Sequence, residues 1–438
     1  MQSEIVIVGG GAGGLELACK LGRKLGPGKV MLVDSRLYHV WKPSLHEVAA
    51  GTLDIHQEGL SYQMLAHDCG FTFVYGEMTA LDAGAKRITV APVAAGDGEE
   101  VLPERVVGYG SLVISVGSTS NYFGVPGARE NTISLNATED AERFRLRLLR
   151  LLAQAEREKE SGDKGSATPR TGLDIVIIGG GATGVELAAE LREASGAYAA
   201  YGFNRLQVQR DVRITLLEGA PRILAPLPER VSSAALRLLE QRAIRVVTQC
   251  RVTGIEKHQV LDNDGHVYPA DLCVWAAGIR APEFLASLGL PTNKGGQIEV
   301  DGHLRVKDVP DVYALGDCAA CIDGKGKPVP PRAQAAHQQA DYLLKTFMNK
   351  ASGYPPQKNP YVYRDYGSLV SIGHQTTVGS LMGSLRGVSW FVEGFMARIM
   401  YLSLHLMHHK AIMGSVRTGL MALARFLIRR TTPLVKLH

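Results

Sequence analysis

Residues 5–16 read IVIVGGGAGGLE, and residues 175–187 nearly repeat them as IVIIGGGATGVEL. Each copy has a β-branched run, then Gly-x-Gly-x-x-Gly, then a segment of helical composition. The pattern predicts a strand that turns tightly into a helix, with a dinucleotide pyrophosphate at the turn. Gly9 and Gly179 allow the turn. Gly11 and Gly181 let the backbone approach phosphate oxygens with no Cβ in the way, and Gly14 and Gly184 let the helix pack against the strand. Free N–H groups at the helix start then face the anion. One such turn also arises for purely structural reasons. Two, each behind four apolar residues, mark two dinucleotide-binding units.

An acid follows each turn. Asp34 ends KVMLVD, twenty residues after Gly14, at the spacing expected for a carboxylate on a ribose hydroxyl. Glu218 ends VRITLLE, thirty-four residues after Gly184, so the second unit carries an insertion near YAAYGFNRLQVQRD. A carboxylate there also repels a 2′-phosphate, which favours NADH over NADPH.

A chain of 438 residues suits two or three domains at about 150 residues each. Hydrophobic residues make up 45 % of it, enough for globular cores, and the net charge of +5 does not call for nucleic acid. Six scattered cysteines, and a first strand close to Met1 with no leader before it, predict a reducing cytoplasmic setting without a disulfide framework. Strands and helices alternate, so the expected class is α/β, with two Rossmann-like doubly wound domains. Residues 88–118 add a strand pair to the first unit, which spans residues 1–155. A charged, Gly/Ser-rich connector occupies residues 156–172. The second unit spans 173–290 and ends on the buried strand LCVWAAGI. VYALGDC, residues 312–318, returns to the first sheet and opens a second part of that unit, residues 291–383. Residues 361–383 read as strands and 389–430 as helices.

Residues 384–438 form a distinct C-terminal region. From Gly394 to His438 there is no Asp or Glu, but there are seven Lys or Arg and four His. Over residues 411–430, Ile412, Met413, Val416, Leu420, Leu423 and Leu427 share one helical face, with Arg417, Arg425 and Arg429 on an opposing arc. That pattern predicts an interfacial helix on an anionic membrane surface, each basic residue adding about 1 kcal/mol. No apolar run is long enough to span a bilayer. The competing reading packs this face on the protein's own core or on a second copy, as a homodimer.

The two turns, with VISVGS (113–118), VWAAGI (274–279) and ALGD (314–317), resemble flavoproteins with two dinucleotide-binding domains built on the glutathione reductase plan. WKPSLHEVAAGTLD (41–54), PPRAQAAHQQA (330–340) and the basic C-terminal helices resemble, within that group, the type II NADH dehydrogenases, over essentially the whole chain. The resemblance implies non-covalent FAD on the first turn and NADH, as substrate, on the second. Hydride passes from NADH to FAD, and two electrons then pass to a membrane quinone, ubiquinone or menaquinone, without proton pumping. It implies a peripheral enzyme of the respiratory chain on the cytoplasmic side of the cell membrane. Residues 1–155 and 291–383 then form the FAD domain and 173–290 the NADH domain. For FAD it implies Gly9, Gly10, Gly11, Ala12, Gly13, Gly14, Asp34, Ser35, Lys42, Met78, Gly117, Asp317 and Ala333. For NADH it implies Gly179, Gly181, Gly184, Glu218, Ala277 and Gly278. Gln334 and Gln338, one helical turn apart, match quinone-site glutamines, and Glu186 matches the catalytic-site carboxylate near the nicotinamide and the flavin.

Rival activities are weighed by cysteine placement. Disulfide reductases of this plan carry a close cysteine pair in the first helix, where this chain has only Cys19. Residues 70–249 and 322–438 contain no cysteine, against a sulfide:quinone mechanism. Cys318 and Cys321 lack a second ligand pair, so no metal is expected and the two read as structural. The remaining alternatives are a soluble NADH-dependent reductase of another acceptor and an NADH-sensing flavoprotein similar to apoptosis-inducing factor.

Overall fold

The computed structural model describes residues 1–160, 172–373, 376–382, 389–428 and 434–436. Two sheets carry the two glycine turns, and their strand orders correspond. In the first, Gln2–Val8 lies between Val30–Asp34 and Arg105–Ile114. Thr72–Tyr75 flanks Val30–Asp34, and Val312–Ala314 pairs in parallel with the end of Arg105–Ile114. In the second, Leu173–Ile178 lies between Val212–Leu217 and Leu272–Trp275, flanked by Ile244–Val247 and Ile133–Ser134. Both central strands are buried on both faces, which explains their unbroken apolar runs. Each leads into a helix, Ala12–Leu25 or Ala182–Tyr201. The longer second helix and the short helix Val208–Asp211 absorb the insertion before Glu218.

Three boundaries differ from the expected ones. Ile133–Ser134 pairs with Leu272–Trp275, and the helix Thr138–Glu160 buries Phe144, Leu148 and Leu152 in the core of the second sheet. The crossing between sheets therefore precedes Ile133 rather than residue 155. The same helix includes the first five residues of the expected connector, and residues 161–171 lie outside the described residues. Ser389–Glu393 is a strand, not a helix. Its aromatic and β-branched run pairs with Thr377–Met382, which pairs with Gly367–Ser371, and Gly394, at φ +84°, breaks it from the helix that follows. This small sheet does not belong to the first unit alone, because the Ser371 N–H bonds to Glu186 of the second.

After that strand, the described part of the C-terminal region holds two helices, Phe395–Met413 and Ser415–Ile428, broken at Gly414, φ +82°. The break separates the expected stripe. Ile412 is fully buried in the first core, and its carbonyl accepts from Arg23. Val416, Leu420, Leu423 and Leu427 remain outward at 56–78 % exposure. The opposing arginines are ion-paired: Arg417, still 58 % exposed, with Asp68, and the less exposed Arg425 with Glu58. Lys436 reaches Asp54 at 3.2 Å. Arg429 and Arg430 lie outside the described residues. No described helix is long and apolar enough to cross a membrane.

Candidate cofactor sites and their junction

The first turn is held from behind and open in front. The Gly10 N–H donates to the Asp34 carboxylate at 2.6 Å, and the Arg36 N–H donates to its other oxygen at 2.8 Å. Burial pushes the Asp34 carboxyl up, and those two donors oppose the shift. The Gly10 carbonyl accepts from Tyr62 Oη at 2.7 Å and His39 Nδ1 at 2.9 Å. Gly9 has φ +97°, and a Cβ there would stand 2.5 Å from the Ser115 carbonyl oxygen. A Cβ on Gly14 would overlap the Gly9 carbonyl. On Gly11 it would meet nothing closer than 4.0 Å. The space beside Gly11, at the start of the helix, is thus open, as an anion-binding turn requires.

The second turn repeats this construction. The Gly180 N–H donates to Glu218 at 2.5 Å, and the Ala220 N–H to its other oxygen at 2.7 Å. Gly179 has φ +112°, and its Cβ would lie 2.7 Å from the Ala276 backbone. A Cβ on Gly184 would overlap the Gly179 carbonyl, while Gly181 faces open space. At the strand end, Trp275 Nε1 donates to the Ala277 carbonyl at 2.7 Å, ahead of Gly278 at φ +67°.

Two further side-chain groups are assembled from residues far apart in the chain. Asp317, in the turn Gly316–Cys318, accepts from Ser118 Oγ at 2.7 Å, beside Gly117. Its carbonyl accepts from Gln297 Nε2 at 3.0 Å. Lys42 Nζ donates to the Ser118 carbonyl at 2.9 Å. Ala333 begins the helix Ala333–Ala351 against the same turn, where Gln339 accepts from the Gly316 N–H at 2.7 Å. Glu186 is buried in the helix Ala182–Tyr201 and accepts from the Ser371 N–H at 3.0 Å, with His46 Nδ1 3.8 Å away. Burial pushes its carboxyl up to about 8, with Glu47 and Glu190 reinforcing the shift, and burial pushes His46 down to about 4. At neutral pH the pair is therefore a protonated acid beside a neutral imidazole.

The pyridine nucleotide-disulphide oxidoreductase family model matches residues 3–340. A type II NADH:quinone oxidoreductase of Haemophilus influenzae is 37 % identical over the full length of both chains.

The chain belongs to the type II NADH:quinone oxidoreductases.

An internal alternative NAD(P)H-ubiquinone oxidoreductase of Arabidopsis thaliana mitochondria is 28 % identical, over 86 % of this chain and 75 % of its own. The solved structure of the Plasmodium falciparum NDH2 in complex with NADH has the same fold, with TM-score 0.81 and full coverage of both chains at 18 % identity. The sulfide:quinone oxidoreductase of Aquifex aeolicus shares the fold less closely, at TM-score 0.69, 94 % of this chain and 92 % of its own, and 19 % identity.

Of the other expected residues, Ser35 is exposed beside Asp34 and Met78 is buried at the start of its strand. The glutamines expected at the quinone site bond to the chain beside them. Gln334 accepts from the Tyr366 N–H at 3.2 Å and donates to the Gly367 carbonyl at 3.0 Å. Gln338 accepts from the Arg364 N–H at 3.0 Å and donates to the Arg364 carbonyl at 2.8 Å. Both amides are engaged in fastening residues 364–367 to the helix. His337 bonds to Glu16 at 2.6 Å, which raises its pKa. Cys318 and Cys321 are buried free thiols, pushed up to about 12 by burial, so neither supplies a thiolate. Sequence reading missed His39, Tyr62, Ser118 and Gln297. Each acts across the chain; Ser118 closes the VISVGS motif, and the other three sit in no local pattern that would announce them.

Proposed function

We propose that this chain oxidises NADH at the second turn and delivers the electrons to a membrane quinone, with Glu186 holding a proton where the two nucleotide units meet. Like the relatives it most resembles by name, it is an NADH:quinone reductase with FAD as cofactor. The observation that carries the reading is the duplicated carboxylate–glycine clasp, Asp34 with Gly10 and Glu218 with Gly180. It provides for two dinucleotides on one chain.

FAD, when bound, supplies the hydride acceptor and the electron pair for the second substrate. The chain supplies the rest. Gly11 and Gly181 give phosphate oxygens an approach, and Asp34 and Glu218 offer carboxylates to ribose hydroxyls. Asp317, braced by Ser118 and Gln297, faces the ribityl position, and Lys42 neutralises charge beside it. Buried and protonated, Glu186 has a proton to give without adding a negative charge to the junction. Gln334 and Gln338 fix the 364–367 chain, and we assign this fastened segment to the wall of the quinone approach.

The outward apolar side chains Val416, Leu420, Leu423, Phe426 and Leu427 form the proposed membrane contact, on the cytoplasmic face where NADH is available. A second copy of the chain is the rival occupant of this face. Sedimentation with and without vesicles separates the two. Steady oxidation of NADH by a ubiquinone or menaquinone analogue tests the activity. Tight NADH binding without turnover would favour the sensing flavoprotein instead.

A further inference from the structure

We propose that His408, on the C-terminal helix, positions the FAD phosphate loop through His39, making the helix Phe395–Met413 part of the flavin-binding machinery. The path is short. His408 Nε2 lies 2.9 Å from His39 Nε2, and His39 Nδ1 lies 2.9 Å from the Gly10 carbonyl. A carbonyl only accepts, so Nδ1 of His39 carries the hydrogen. Neutral His39 then has a bare lone pair on Nε2, and His408 donates to it from Nε2. Burial keeps both rings neutral, with His39 pushed down to about 4 and His408 also lowered. The Trp41 ring covers His408 at a centroid distance of 4.3 Å, and both histidines are at most 5 % exposed.

What this chain of bonds holds is a peptide plane. In a trans peptide the carbonyl and the next N–H point in opposite directions. With the Gly10 carbonyl pulled back by His39 and Tyr62, the Gly11 N–H turns toward the open side of the loop. The loop is uncrowded at Gly11, where a Cβ would meet nothing closer than 4.0 Å, and a helix start of this kind is where a pyrophosphate binds. The corresponding plane of the NADH loop is braced differently: the Gly180 carbonyl accepts from the Leu224 N–H at 2.7 Å, a bond within its own domain. The FAD loop alone is tied to a helix that bears outward apolar side chains, among them Leu402, Leu404 and Met407 at 40–57 % exposure.

The inference rests on FAD occupying the first turn, and FAD affinity of the apoprotein tests both points separately. His408→Met keeps the bulk of the side chain without a donor. His408→Gln returns an N–H to the position of Nε2. FAD titration by fluorescence quenching should show about tenfold weaker binding for His408→Met and near wild-type binding for His408→Gln. NADH affinity, read from the second turn, should be the same in both. Equal FAD affinity in wild type and His408→Met overturns the inference, as does equal impairment of the Met and Gln variants, which would mean packing alone. Should His408→Met fail to fold, His39→Leu against His39→Asn decides: Asn retains the donor to Gly10 and should bind FAD about tenfold more tightly than Leu, and equal values would overturn the proposal. An apoprotein of wild-type sequence that takes up no FAD would instead refute the assignment of the first turn.

Discussion

Glu186 shows how one residue's surroundings set its chemistry. An acid in the early turns of a helix is ordinarily stabilised as an anion. Here burial wins, and the carboxyl titrates near 8 instead of 4.5. The fold thus favours the protonated form. Its contribution to stability is full below the ordinary carboxylate value and is lost as pH rises from there through about 8. Glu186→Gln keeps the shape and removes the titration. The gap between the thermal melts of the two proteins should be smallest near pH 4 and widen by roughly 5 °C or more by pH 9, in favour of the variant. A gap that does not change with pH would contradict this. Glu218 makes a different argument. If the second turn holds the dinucleotide as proposed, its carboxylate opposes a 2′-phosphate, and NADH should be strongly preferred. Glu218→Ala should narrow the ratio of kcat/KM values by about tenfold, and similar values for both cofactors in the wild type would sink the reading.

Two elements behave in ways their composition does not advertise. The helix Ser415–Ile428 has a basic face, yet Arg417 and Arg425 are ion-paired to Asp68 and Glu58. Its attachment should rest on apolar side chains, at about 1.5–3 kcal/mol for each large one buried. Leu420→Gln with Leu423→Gln should weaken vesicle binding at least about tenfold, while raising salt should weaken wild-type binding little. Release of the wild type by salt alone would restore the arginines to a headgroup role. The helix Ala333–Ala351 fastens residues 364–367 through Gln334 and Gln338. Gln338→Leu removes the partner of the exposed Arg364 N–H, which water can replace, and should cost about 0.5–1.5 kcal/mol, seen as a slightly lower Tm. In stopped flow it should slow electron transfer to quinone and spare reduction by NADH. Slowing of the NADH step alone would remove this segment from the quinone side.

At the scale of the whole molecule, the duplicated turn made the architecture legible. A glycine that must avoid a carbonyl, as Gly14 and Gly184 do, leaves a local signature, and the acid after it has a spacing. The return of Val312–Ala314 to the first sheet was readable for the same reason, as an apolar run closing on Gly316 and Asp317. Features that depend on tertiary pairing were not. Ile133–Ser134 is too short to declare which sheet it joins, the break at Gly414 looks like one more helical residue, and His39 finds Gly10 and His408 across 29 and 369 residues. The most direct measurement is anaerobic stopped flow of the FAD-loaded protein in two steps, following the flavin's visible absorbance. The account predicts that NADH bleaches the absorbance and that a ubiquinone or menaquinone analogue then restores it, at rates matching steady turnover. Bleaching by NADH that neither quinone reverses would contradict it.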